Sequence, residues 1–164
     1  MRQQYSTDII KEKVTDAPFL LEGESIGFSA KPAFSFFHWI AVIILTFIPP
    51  FLWGLGLFLM LRHQKKHGGV WVTNKRLVHF EKVPFSKTYN VTSIPLDQIT
   101  RIKKASFGGG PSDLILDLLN RIVGIADLKV FVKDSAWVQH SMTNIKPAGA
   151  LIKYVDSIIK STVA

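Results

Sequence analysis

The sequence predicts an α+β chain: an N-terminal membrane-embedded helical hairpin, then a sheet domain capped by a C-terminal helix. Three observations lead there. The 30 residues from Pro32 to Leu61 contain no Asp, Glu, Lys or Arg. Short β-branched and aromatic runs, separated by turn residues, follow from Val70 to Ile145. Ala148, Leu151, Ile152, Val155, Ile158 and Ile159 then recur at spacings of three and four, the stripe of one helix face.

Composition narrows the function classes. With 20 Lys and Arg against 12 Asp and Glu, the 164-residue chain carries a net charge of +8. A hydrophobic fraction of 48% and a mean hydropathy of +0.23 are too apolar for disorder or for an ordinary water-exposed domain. The absence of cysteine excludes a disulfide framework, thiolate metal sites and cysteine catalysis. A basic, apolar chain meets either nucleic acid or an anionic membrane, and the location of the apolar residues decides which.

Met1 to Lys31 reads as a juxtamembrane segment (1–31) of net charge −1, and the chain from Arg62 onward carries +9. The charge-free run begins too deep in the chain for a signal peptide, and ~20 apolar residues suffice to cross a bilayer. As one straight helix it would be ~45 Å long. Pro49-Pro50 removes two amide donors near its middle and divides it into two helices. The hairpin is therefore placed at 32–66, with Trp39 and Trp53 as interfacial anchors; one kinked, tilted span competes with it. Arg62, Lys65 and Lys66 follow at once, and the positive-inside bias puts the remainder on the cytoplasmic side of a bacterial-type inner membrane.

The sheet domain is placed at 68–164. Gly68-Gly69 breaks the second helix. Val70 to Val83 reads as a β-hairpin turning at Thr73-Asn74, with further strands at Tyr89–Ile94 and Ile99–Ile102. Phe107 to Pro111 is a loop. Ser112-Asp113 caps a short helix carrying Leu114, Ile115, Leu118, Leu119 and Ile122, and Gly124 ends it. Leu128 to Val132 alternates as a half-buried strand, and Trp137 to Ile145 pairs with it across an Asp134-Ser135 turn.

Four short stretches carry a family resemblance. They are Leu21-Glu22-Gly23-Glu24-Ser25-Ile26; the hairpin Gly69 to Val78 with its aromatic–x–Thr–Asn–x–Arg–Leu pattern; Ile94-Pro95-Leu96-Asp97-Gln98-Ile99; and Gly124-Ile125-Ala126-Asp127-Leu128. In this order they resemble the bacterial membrane-anchored pleckstrin-homology-like (PH-like) domain family. The resemblance implies a PH-like bent antiparallel sheet capped by the C-terminal helix, directly after the apolar hairpin.

A fold does not fix a function, so the chemistry is sought in the residues. His63 and His67 have a helical ligand spacing, but lysines lie between them and no carboxylate completes a site. Gly108 to Gly110 lacks the Gly–Lys–Ser/Thr ending of a phosphate loop. Asp113 and Asp117 suit a capped, solvated helix start better than acid–base work. No catalytic constellation, cofactor motif or metal site is visible, and the chain reads as a non-enzyme. The remaining signal is basic: Lys65, Lys66, Lys75, Arg76, Arg101, Lys103 and Lys104 are the residues expected to meet anionic lipid, against the plainer reading of solvated positive-inside lysines. Three functions follow. The leading one is a membrane-anchored scaffold or adaptor presenting a partner-binding or self-assembling domain, as a homo-oligomer or with another protein. The others are an anionic-lipid head-group binding module and a small accessory subunit of a larger membrane complex. Nucleic acid is not an expected partner, because no aromatic–basic interleaving or helix-turn-helix is present.

Overall fold

The computed structural model describes residues 9–15, 20–47, 52–84, 86–105, 111–133 and 140–163. Its elements run β1 (Ile10–Val14), β2 (Ile26–Pro32), α1 (Phe36–Phe47), α2 (Leu52–His67), β3 (Gly69–Thr73), β4 (Arg76–Lys82), β5 (Tyr89–Pro95), β6 (Ile99–Lys104), α3 (Pro111–Ile122), β7 (Ala126–Val132), β8 (His140–Lys146) and α4 (Ala148–Val163), with one 3-10 turn at Leu96–Gln98. The eight strands form a single antiparallel sheet in the order β1-β5-β4-β3-β2-β8-β7-β6.

Strand β2 is the corner of this sheet. Ile26 to Ala30 pairs with β3, whereas Lys31 and Pro32 pair with Ile145 and Lys146 of β8. One strand thus serves both halves, and the sheet curls around it. Helix α4 packs into the concave side, with Ala148, Leu151 and Val155 buried against Leu77, Ile94, Leu128, Met142 and Ile145. Tyr154 closes over the corner by stacking on Phe28 at 5.4 Å between centroids, and a Cβ at Gly27 would collide with its ring. Gly69 is needed for the same kind of reason, since a Cβ there would lie 2.6 Å from the Phe80 ring.

The fold class expected from sequence is corrected in two respects. First, the helix pair is not an N-terminal hairpin ahead of the sheet. It is inserted between β2 and β3, so that two strands of the sheet, β1 and β2, precede it in the chain. Second, no helix among the described residues is long and apolar enough to cross a membrane. Helices α1 and α2 have 12 and 16 residues, or ~18 and ~24 Å at 1.5 Å per residue, against a ~30 Å hydrocarbon core. The last turns of α2 are charged as well. The inner-membrane location that rested on such a span is corrected with it. The physical reason is that the charge-free run is not one structural unit. Pro32 ends β2, Ala33 donates its N–H to the Asn144 carbonyl at 2.8 Å, and only from Phe36 does α1 begin. Pro49, Pro50 and the Asp134-Ser135 turn lie outside the described residues.

The hollow of the sheet is bridged by a histidine pair. His79 on β4 and His140 on β8 are separated in the sheet by two strands, β3 and β2, yet His79 Nδ1 and His140 Nε2 are 2.8 Å apart. His79 Nε2 lies 3.3 Å from Glu81 Oε1, and His79 holds the Glu81 carboxyl below its usual range. Burial, with His79 and Lys11 adding to it and Glu81 opposing, pushes His140 down to about 4. The unfolded chain therefore takes up this proton near the usual pH 6.5, while the folded chain resists it. Stability is expected to fall as the pH is lowered from about 6.5 towards 4. Urea melts across that range should show the slope, and His140→Gln should flatten it. An unchanged slope in the variant would assign the acid sensitivity to other groups.

Candidate functional site

Three lysines converge where the two halves of the sheet meet the helix pair. Lys31 is next to last in β2, Lys146 ends β8, and Lys65 lies in the last turns of α2. Together with Pro32, Ala33, Phe34, Trp39 and Ile125 they line a pocket of about 270 Å³. Local chain chemistry places each wall. Pro32 terminates the strand, and Ser35 caps α1 by accepting the His38 N–H at 3.3 Å. From α3, Asn120 Oδ1 accepts the Phe36 N–H at 2.8 Å. The aromatic wall is Phe34 against Trp39, edge to face at 5.5 Å, and Lys65 Nζ sits 5.5 Å from the Phe34 centroid.

The electrostatics of the pocket are uncompensated. Lys31 and Lys146 are direct cross-strand partners, a placement of like charges that destabilises a sheet pair. Among the described residues the ion pairs are Glu24–Arg76 and Asp117–Arg121, His79 approaches Glu81, and none of these contacts involves the three lysines. The pocket presents ammonium donors and an aromatic face with no acid in its lining. Chemically it suits an anion with several acceptor oxygens.

The basic residues singled out from sequence do not form one cluster. Lys65 lines the pocket, and Lys66 is its exposed neighbour. Lys75 and Arg76 are engaged by the segment before β2. Lys75 Nζ donates to the Glu22 carbonyl at 3.0 Å, and Arg76 Nε donates to Glu24 Oε1 at 2.8 Å. On the opposite sheet half, Arg101 lies 4.4 Å over the Phe131 ring, Lys103 faces Lys129, and Lys104 is opposite Leu128. Of the expected anchors, Trp39 lines the pocket, while Trp53 is exposed near the start of α2.

Lys31 and Lys146 went unrecognised as site residues. Lys31 carries a weak signal, being the last charge before the apolar run. Lys146 carries none, because only the β2–β8 register brings it there. Among the described residues no group of three or more His, Asp or Glu side chains is placed to hold a metal ion.

Helices α1, α2 and α3 continue outward from the pocket with many apolar side chains unburied. Phe47 is 77% exposed, Leu52 72% and Ile122 73%. Compared with known proteins, the chain has no match among curated proteins and none among solved structures. A family model described as the bacterial PH domain matches residues 20–109, more than half of the chain.

Proposed function

Because the chain belongs to the bacterial PH domain family, whose PH-like relatives are generally non-catalytic binding modules, we propose that it binds anionic lipid head groups through the Lys31–Lys65–Lys146 pocket. The observation that carries this reading is the uncompensated cross-strand pair Lys31 and Lys146 with Lys65 above it. A phosphate-bearing head group would supply the missing counter-charge, and its glycerol or acyl portion would lie against Phe34, Trp39 and the apolar helices beyond. Of the basic residues picked out along the chain, Lys65 and Lys66 belong to this surface; Arg101, Lys103 and Lys104 lie on the other half of the sheet and contribute at longer range.

The test is co-sedimentation of the full chain with vesicles. Binding to phosphatidylglycerol vesicles should exceed binding to phosphatidylcholine. Replacing Lys31, Lys65 and Lys146 together by Gln should remove about 1 kcal/mol for each lysine near the surface, or ~100-fold in affinity for all three. Replacing Arg101, Lys103 and Lys129 by Gln should cost less. Equal binding of the two vesicle types, or an unaffected triple variant, would overturn the assignment. A second reading has its own support in the exposed apolar faces of α1, α2 and α3: a scaffold that binds a protein partner or assembles with itself. Concentration-dependent mass in light scattering, abolished by Phe47→Ser together with Leu52→Ser, is the result expected for self-assembly.

A further inference from the structure

On the other side of the start of α1 lies a second cavity, of about 330 Å³, with the opposite chemistry. Its polar lining is His38, Asp117, Asn120, Asp127 and Asn144, and its apolar walls are Phe37 and Leu116. Several of these groups are satisfied at one atom only. Asn120, 6% exposed, accepts from Phe36 through Oδ1, and its Nδ2 has no hydrogen-bond partner among the described residues. Asp127 Oδ1 accepts the Asn144 N–H at 2.6 Å, leaving Oδ2 without a partner among the described residues. Asp117, 8% exposed, receives Arg121 Nε on Oδ2 at 2.7 Å, and its Oδ1 is likewise unmatched among the described residues.

Charge and volume restrict the occupant. Two carboxylates face one guanidinium. His38 adds no positive charge near neutral pH, because burial pushes its pKa down, with Asp127 opposing. Ser35 Oγ, 2.7 Å from His38 Nδ1, donates its proton there in the arrangement that satisfies the hydroxyl, which leaves the imidazole proton on Nε2. The cavity is thus net anionic and also offers amide and imidazole donors. Polar atoms that open onto a cavity and lack a protein partner take water or a ligand. A water occupies ~30 Å³ of liquid, and small-ligand sites begin at about 300 Å³.

We propose that this cavity binds a small hydroxylated primary amine, its ammonium on Asp127 Oδ2 and its hydroxyl oxygen on Asn120 Nδ2. The site stands apart from the lysine pocket in charge and in lining residues, so neither assignment depends on the other. The probe is ethanolamine, titrated into the full-length protein and followed by calorimetry and by the Asn120 side-chain amide resonance, with ethylene glycol and glycolate as neutral and anionic controls. Saturable binding of ethanolamine alone is expected. Asp127→Asn keeps an acceptor for the Asn144 N–H and should weaken binding ~10–100-fold, the size of one hydrogen bond to a charged group. Asp117→Asn should weaken it in the same direction. The Lys31/Lys65/Lys146→Gln variant should bind ethanolamine as the parent does. Ethylene glycol binding as well as ethanolamine, or Asp127→Asn binding undiminished, would overturn the proposal, as would the absence of any saturable signal.

Discussion

Glu24→Ala is expected to destabilise the protein by about 3–5 kcal/mol, the usual cost of breaking a buried ion pair from one side. The Glu24 side chain is fully buried and that of Arg76 is 20% exposed. Its carboxylate takes Arg76 Nε at 2.8 Å and Nη2 at 3.0 Å, the Thr73 hydroxyl at 2.7 Å and the Leu21 N–H at 2.8 Å. Alanine would leave a guanidinium, a hydroxyl and an amide facing a void. Hydrogen bonding from Arg76, outweighing the cost of burial, holds the Glu24 carboxyl down at about 2 instead of 4.5. The sign follows: the folded state binds this proton more weakly than the unfolded chain, so the stabilisation is complete above pH ~4.5 and is lost as the pH falls towards 2. Over that interval it amounts to about 3 kcal/mol. Chemical melts at pH 7 and pH 3 should therefore show the gap between parent and Glu24→Ala narrowing in acid. A gap independent of pH would mean that packing, and not the ionised carboxylate, is what the substitution removes.

Val155→Asp should be more damaging still. Val155 is completely buried in the core formed by α4 and the sheet, and an unpaired carboxylate there costs several kcal/mol or protonates. With total stabilities of about 5–15 kcal/mol, much of the population would unfold. Ile152, on the same apolar stripe, is only partly buried and its replacement by Asp should cost far less. Circular dichroism melts of the two variants side by side test the packing of α4. Equal losses would mean that the helix presents a different face to the sheet.

Two of the four stretches that carried the family resemblance turn out to be partners in space. The Gly23-Glu24 segment and the Thr73–Arg76 turn interlock: besides the Glu24 contacts, Asn74 Oδ1 accepts the Ser25 N–H at 3.1 Å and Asn74 Nδ2 donates to the Gly23 carbonyl at 3.2 Å. Both motifs were legible as short patterns. Their contact was not, because it joins residues about fifty positions apart. It also explains why Lys75 and Arg76, conspicuous as basic residues, are engaged in holding the fold.

Elements whose signal is local were legible along the chain. The β3–β4 hairpin, β5, β6, the alternation of β7, the end of α3 at Gly124 and the stripe of α4 each follow from periodicity or turn chemistry within a dozen residues. Strands β1 and β2 were not legible in this way. β1, Ile-Lys-Glu-Lys-Val, is mostly exposed and charged, and β2 exposes alternate and adjacent positions alike, so neither shows a buried face to the eye. Tertiary structure alone decided that β2 joins the two halves of the sheet, that the apolar run is cut into two short inserted helices, and that Lys31, Lys65 and Lys146 share a pocket. Pairing register and chain reversal set these outcomes, and both depend on which distant strand offers its free N–H and C=O groups, a choice that no local pattern of side chains encodes.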